Sequence, residues 1–165
     1  MSGVIRKSMR WQPLTIFAAT VIGFALLSGA PVLAKQEIHG VWIDDSGKGA
    51  VEIRPCGRSM CGFIVWLKKS LSRTGKPLTD KLNPEPRRRG KPICGLQVIG
   101  RLKPQSDGSW DDGWIYDPNK GQAFDVEVKR RSAEFLQVKG YLGLKFLSET
   151  FVWKRAPNGI KRCSN

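Results

Sequence analysis

Short apolar–polar alternations separated by turn-forming residues predict an all-β fold: a single antiparallel eight-stranded barrel with one long irregular loop. Three observations carry this reading. Eight strand-like segments recur along residues 35–165, no segment shows the helical period of an amphipathic helix, and no internal repeat is present. Eight short strands fit a sandwich or a barrel, and the barrel is preferred because closure removes exposed sheet edges. Such a barrel has an interior wide enough for side chains or for one small ligand.

The first strand is expected over His39–Asp44, and Asp45-Ser46-Gly47-Lys48-Gly49 is a turn by composition. Ala50–Arg54 follows, with Val51 and Ile53 on one face and Glu52 and Arg54 on the other. Pro55-Cys56-Gly57-Arg58-Ser59 turns the chain into Met60–Leu67, a nearly continuous apolar run that suits a strand covered on both faces. Residues 68–91 break the rhythm. Pro77, Pro84, Pro86, Lys68-Lys69 and Arg87-Arg88-Arg89 leave no periodic apolar pattern, and a loop this long in a small domain is usually functional or disordered. Strands resume at Ile93–Leu102, Trp110–Tyr116, Ala123–Lys129, Phe135–Gly140 and Leu147–Trp153. Between them, Asp117-Pro118-Asn119-Lys120-Gly121 is a strong turn, with Pro suited to the second position and Gly supplying positive φ near the end. Ala123–Lys129 alternates most cleanly: Phe124, Val126 and Val128 against Asp125, Glu127 and Lys129.

Residues 1–34 read as a cleaved Sec signal peptide, leaving 35–165 as one domain. Arg6, Lys7 and Arg10 precede an apolar run from Leu14 to Leu27, and Val32-Leu33-Ala34 presents small residues for a signal peptidase. That run is shorter than the roughly 20 residues a spanning helix needs, so no stable membrane insertion is expected after cleavage. The segment holds three of the 28 basic and none of the 14 acidic residues, so the exported chain carries +11. In the periplasm or outside the cell this charge faces anionic envelope ligands, lipid phosphates or an acidic protein rather than nucleic acid.

All four cysteines, Cys56, Cys61, Cys94 and Cys163, lie beyond the cleavage point, and an even count in an exported chain argues for two disulfides. Three pairings are possible. Cys56 and Cys61 flank a turn and are favoured as partners, which leaves Cys94 with Cys163 by exclusion. A zinc site is disfavoured, because the first pair is spaced C-x4-C and His39 is the sole histidine.

Several segments occur together: Gly40-Val41-Trp42, Pro55-Cys56-Gly57 with Cys61-Gly62 and Ile64-Val65-Trp66-Leu67, Asn83-Pro84-Glu85-Pro86 before Cys94-Gly95-Leu96, Gly113-Trp114-Ile115-Tyr116-Asp117-Pro118, and Gly140-Tyr141-Leu142-Gly143. Over about residues 38–156 the chain resembles a family of small exported bacterial proteins known as a domain of unknown function, with a calycin/lipocalin-like β-barrel. The resemblance implies the barrel and the exported location, and it brings no catalytic residues. Lipocalin-like barrels carry a Gly-x-Trp near the first strand whose indole is stacked by a late basic residue. By that likeness Trp42 would meet Lys154 or Arg155 and close one barrel end.

No catalytic residue, cofactor or metal is expected. His39 stands at a strand start with no nucleophile in view, Gly-x-Ser-x-Gly is absent, and oxidised cysteines leave no thiolate. A carboxylate hydrolase stays open: Asp111-Asp112, read as lying in a turn, and Asp125 with Glu127, on a solvent face, are the nearest pairs. The aromatic residues either fill the barrel or line a cavity. In the second case Trp66, Tyr116 and Tyr141 are expected beside the ligand, with Asn83 and Arg87 at the mouth. The expected function is therefore an exported, monomeric binding protein for a small amphipathic or anionic ligand. The alternative is a protein–protein module or enzyme inhibitor acting through the basic 68–91 loop.

Overall fold

The computed structural model describes residues 37–163; the expected signal segment, residues 1–34, lies outside them. Eight strands follow one another around a closed antiparallel barrel: β1 Gly40–Ile43, β2 Gly49–Cys56, β3 Ser59–Leu67, β4 Gln97–Pro104, β5 Trp110–Asp117, β6 Gln122–Arg130, β7 Phe135–Tyr141 and β8 Ser148–Arg155. β1 pairs with both β2 and β8, which completes the ring. The fold is the all-β barrel that the alternation implies. β4 begins at Gln97 rather than Ile93, although the Gly95 and Leu96 backbones already bond Ile64.

Residues paired across an antiparallel ladder share a face. Val128 opposite Val138, Leu136 opposite Trp153, and Val138 opposite Phe151 thus make a continuous inner wall. The outward partners are Glu127 with Lys139 and Asp125 with Tyr141. Gly62 lets neighbouring strands approach: a Cβ there would lie 2.9 Å from both the Ile99 Cβ and a Val51 methyl.

The two barrel ends differ. At one end Ile38, Trp42, Ile53, Leu102, Trp110, Val128 and Leu136 are buried in one cluster. The Trp42 Nε1 donates to the Ile38 carbonyl at 2.9 Å, and the Arg155 guanidinium, rather than the Lys154 ammonium, stacks 4.1 Å from the Trp42 ring. Gly40 has φ +125°, and a Cβ there would meet the Arg155 guanidinium head-on. The indole, the guanidinium and the glycine together plug this end.

The chain between β3 and β4 is more ordered than its composition implies. Leu71 bridges Pro77, Thr79 bridges Pro92, and Pro86–Arg88 forms a 3-10 turn. Cys56 is bonded to Cys61 across the β2–β3 turn, and Cys94 to Cys163. The second bridge lays the C-terminal tail along β3. There the Cys163 amide donates to the Val65 carbonyl, and Arg162 holds Glu52 with two hydrogen bonds of 3.0 and 2.5 Å.

Candidate functional site

The end opposite Trp42 is hollow. A cavity of about 1530 Å³ opens between the β1–β2, β3–β4, β5–β6 and β7–β8 connections. Its walls are Val51, Ile64, Val98, Ile115, Phe124, Val138, Phe151 and Trp153. Every charged residue lining it stands in a loop or within two residues of a strand end: Asp44, Asp45, Asp117 and Glu149 against Lys48, Lys68, Lys69 and Lys120. The interior is apolar, and the rim combines charges that balance with Leu142, Phe146 and Leu147 of the β7–β8 loop. An apolar chain or ring can displace water inside, while a polar group of either sign finds a partner at the rim.

The structure redistributes the residues expected at this site. Trp66 does not line the cavity. Ala50 faces Trp66 and Val51 faces Ile64, so Val65 is an extra residue in β3 and shifts the inward positions to Ile64 and Leu67. Tyr116 and Tyr141 do border the cavity, but their hydroxyls are taken by carboxylates that do not line it. The Tyr116 hydroxyl donates to Asp80 Oδ1 at 2.8 Å and the Tyr141 hydroxyl to Asp111 Oδ1 at 2.9 Å. Asn83 is buried away from the cavity. Its amide donates to Asp80 Oδ2 at 2.6 Å, and its Oδ1 accepts the Glu85 amide. Asp80 and Asn83, with Tyr116, therefore fasten the long loop to β5 and are not a mouth. Arg87 is exposed on the 3-10 turn and does not line the cavity. Loop folding uses the Asn83 side chain up, because a buried amide has to be hydrogen-bonded.

A second cluster lies on the outer wall. The β5–β6 register shifts between Trp110 and Gly113, and Asp112 takes φ 60°. Asp111 and Asp112 thus form a bulge inside β5, not the turn that composition implies. Asp111, 6% exposed, meets the Lys145 ammonium and the Tyr141 hydroxyl, and Lys145 also reaches Glu127 Oε2 at 2.9 Å. Burial pushes the Asp111 carboxyl up. The Lys145 ammonium, the Asp112 amide and the Tyr141 hydroxyl outweigh that and hold it below its usual value. The two carboxylates brought together are Asp111 and Glu127, a pair that spacing along the chain does not reveal, and both serve one lysine.

Tyr116 and Tyr141 are the chain's two tyrosines, and burial, then a carboxylate partner, pushes each hydroxyl up from 10.0 to about 12. A folded-state pKa above the unfolded one means the two pairs contribute stability that is complete below pH 10.0 and lost as pH rises toward about 12. Spectrophotometric titration of the folded protein is expected to show no tyrosinate at pH 10. A phenolate appearing there with the barrel intact would contradict the Asp80 and Asp111 pairings.

The fold and this cavity define a small, disulfide-linked, lipocalin-like barrel with one plugged and one open end. The chain belongs to the bacterial family described as "Uncharacterized protein conserved in bacteria (DUF2147)", whose model matches residues 40–155. Its fold is similar to that of protein HP1028 from the human pathogen Helicobacter pylori, described as belonging to the lipocalin family. The two share 21% identity with a TM-score of 0.67, over 78% of this chain and 92% of that one. No curated protein matches the sequence. Two disulfides in a bacterial family are consistent with an exported protein.

Proposed function

We propose that this protein is a periplasmic or secreted binding protein. It acts as a monomer, without cofactor or catalysis, and takes the apolar part of a small amphipathic molecule into the barrel. The observation that carries this reading is the apolar cavity of about 1530 Å³ beneath a charged rim. That volume exceeds the roughly 300–1,000 Å³ of common ligand pockets, which leaves room for a flexible acyl chain or a fused ring system. A non-catalytic role is supported by the carboxylates, since Asp111 and Glu127 stand outside the cavity and are joined through Lys145.

The test fills the cavity. Gly140 lines it and pairs with Val126. A Cβ at Gly140 would meet nothing closer than the Phe124 Cβ at 4.0 Å, so a larger side chain enters open space. The protein is expected to bind a dansylated medium-chain fatty acid with a blue-shifted emission. Gly140→Phe is expected to weaken that binding at least about tenfold, or about 1.4 kcal/mol. Native mass spectrometry of protein purified without denaturation gives the independent reading, a discrete added mass that leaves on unfolding. Equal probe affinity in Gly140→Phe and the parent would place the probe elsewhere and remove the basis for this function.

A further inference from the structure

Exposed apolar residues and positive charge both collect at the open end of the barrel. Among the described residues eight large hydrophobic side chains are exposed, and six of them stand in two loops of that end. Leu71 and Leu82 lie between β3 and β4; Leu142, Leu144, Phe146 and Leu147 make up most of the β7–β8 loop and are 55–78% exposed. The four loops of the open end, residues 44–48, 68–96, 118–121 and 142–147, contain twelve basic and four acidic residues. The three turns of the plugged end, residues 57–58, 105–109 and 131–134, contain two of each. The excess lies in the β3–β4 loop, above a rim whose own charges balance.

The β7–β8 loop is fixed in place. Lys145 at its centre is held by Asp111 and Glu127, and the Gly143 amide donates to Asp125 Oδ2 at 3.1 Å. Polar contacts on the outer wall therefore hold Leu144 in solvent, and hold Leu142, Phe146 and Leu147 exposed at the cavity mouth. Four exposed apolar side chains on a pinned loop, beside a strongly basic loop, are complementary to a surface whose outer layer is anionic and whose inner layer is apolar.

We propose that the open end docks on an anionic phospholipid surface. The β7–β8 loop enters the headgroup region, and the basic β3–β4 loop rests on the phosphates. A lipid bilayer offers phosphates to the cations and an apolar layer to the loop's leucines and Phe146 in one surface, whereas a purely acidic patch offers only the first. This docking rests on the ligand-binding reading for its purpose: it sets the cavity mouth against the membrane, where a ligand with an apolar body resides. Its geometry stands apart from that reading.

Co-sedimentation with vesicles tests it, using purified protein with both disulfides formed. Vesicles of phosphatidylglycerol and phosphatidylethanolamine are expected to bind at least about tenfold more tightly than phosphatidylcholine vesicles, with affinity falling as salt is raised. The double variant Phe146→Ser/Leu147→Ser is expected to lose at least about tenfold in affinity on anionic vesicles. Lys68→Glu/Lys69→Glu changes two exposed side chains at the mouth and is expected to abolish the preference for anionic lipid. Gly140→Phe alters the cavity and none of the loops, and it is expected to sediment with vesicles like the parent. Phe146, Leu147, Lys68 and Lys69 also line the cavity mouth, so Gly140→Phe is the variant that separates the two readings: it loses the fatty-acid probe and keeps the vesicles. The proposal is overturned by equal affinity for both vesicle types, by undiminished binding of the Phe146/Leu147 variant, or by sedimentation equilibrium showing a dimer that this variant dissolves.

Discussion

Replacing Cys94 and Cys163 together by serine is expected to lower stability by about 4 kcal/mol. The bridge joins residues 69 apart in sequence, so its removal restores a large loop-closure entropy to the unfolded chain. The Cys56–Cys61 bridge closes a separation of only 5 and is expected to contribute about 2 kcal/mol. The native state loses something as well. Without its tether the tail releases the Cys163 amide from Val65, and Arg162 from Glu52. The Arg162 hydrogen bonds hold the Glu52 carboxyl below its usual value, so that part of the loss appears only above the acid range. A domain of this size has about 5–15 kcal/mol in total, so the double variant is expected to be marginal at body temperature. Equilibrium urea unfolding followed by circular dichroism makes the measurement. A loss under about 1 kcal/mol would mean that the tail contributes nothing to the barrel.

Trp42→Ala is expected to cost about 3–5 kcal/mol, the range for truncating a fully buried tryptophan. Trp42 is 0% exposed, packs in the cluster that plugs the barrel, and satisfies its indole N–H on the Ile38 carbonyl. Its loss leaves a void where β1 meets β8, the junction with the fewest paired residues in the ring. Arg155→Met keeps the aliphatic stem and removes the cation over the ring, and is expected to cost only about 1 kcal/mol. The ratio of the two effects separates packing from the cation–π contact. Equal losses would mean that the guanidinium, through its hydrogen bond to the Ala133 carbonyl and its place over Gly40, carries the closure instead of the indole.

The strand count, the order of the turns and the all-β class were legible in the sequence because each depends on residues close along the chain. Phe124, Val126 and Val128 alternate with Asp125, Glu127 and Lys129, and any strand with that pattern turns the first set inward. The Gly40-Val41-Trp42 segment and the late Arg155 were also legible, through resemblance. The hollow half of the barrel was not. Which side chains reach inside depends on register, and one extra residue at Val65 is enough to replace Trp66 by Leu67 at the wall. Composition likewise marks the β3–β4 stretch as irregular. Its order comes from Asp80 and Asn83, buried beneath a tyrosine 36 residues from Asp80. Tyr141 finds Asp111 over 30 residues, and Lys145 brings Asp111 to Glu127. Local alternation determined how many strands form and which way most of them face. Only the closed ring, which fixes register and sets distant polar groups side by side, decided that one end is plugged and the other open.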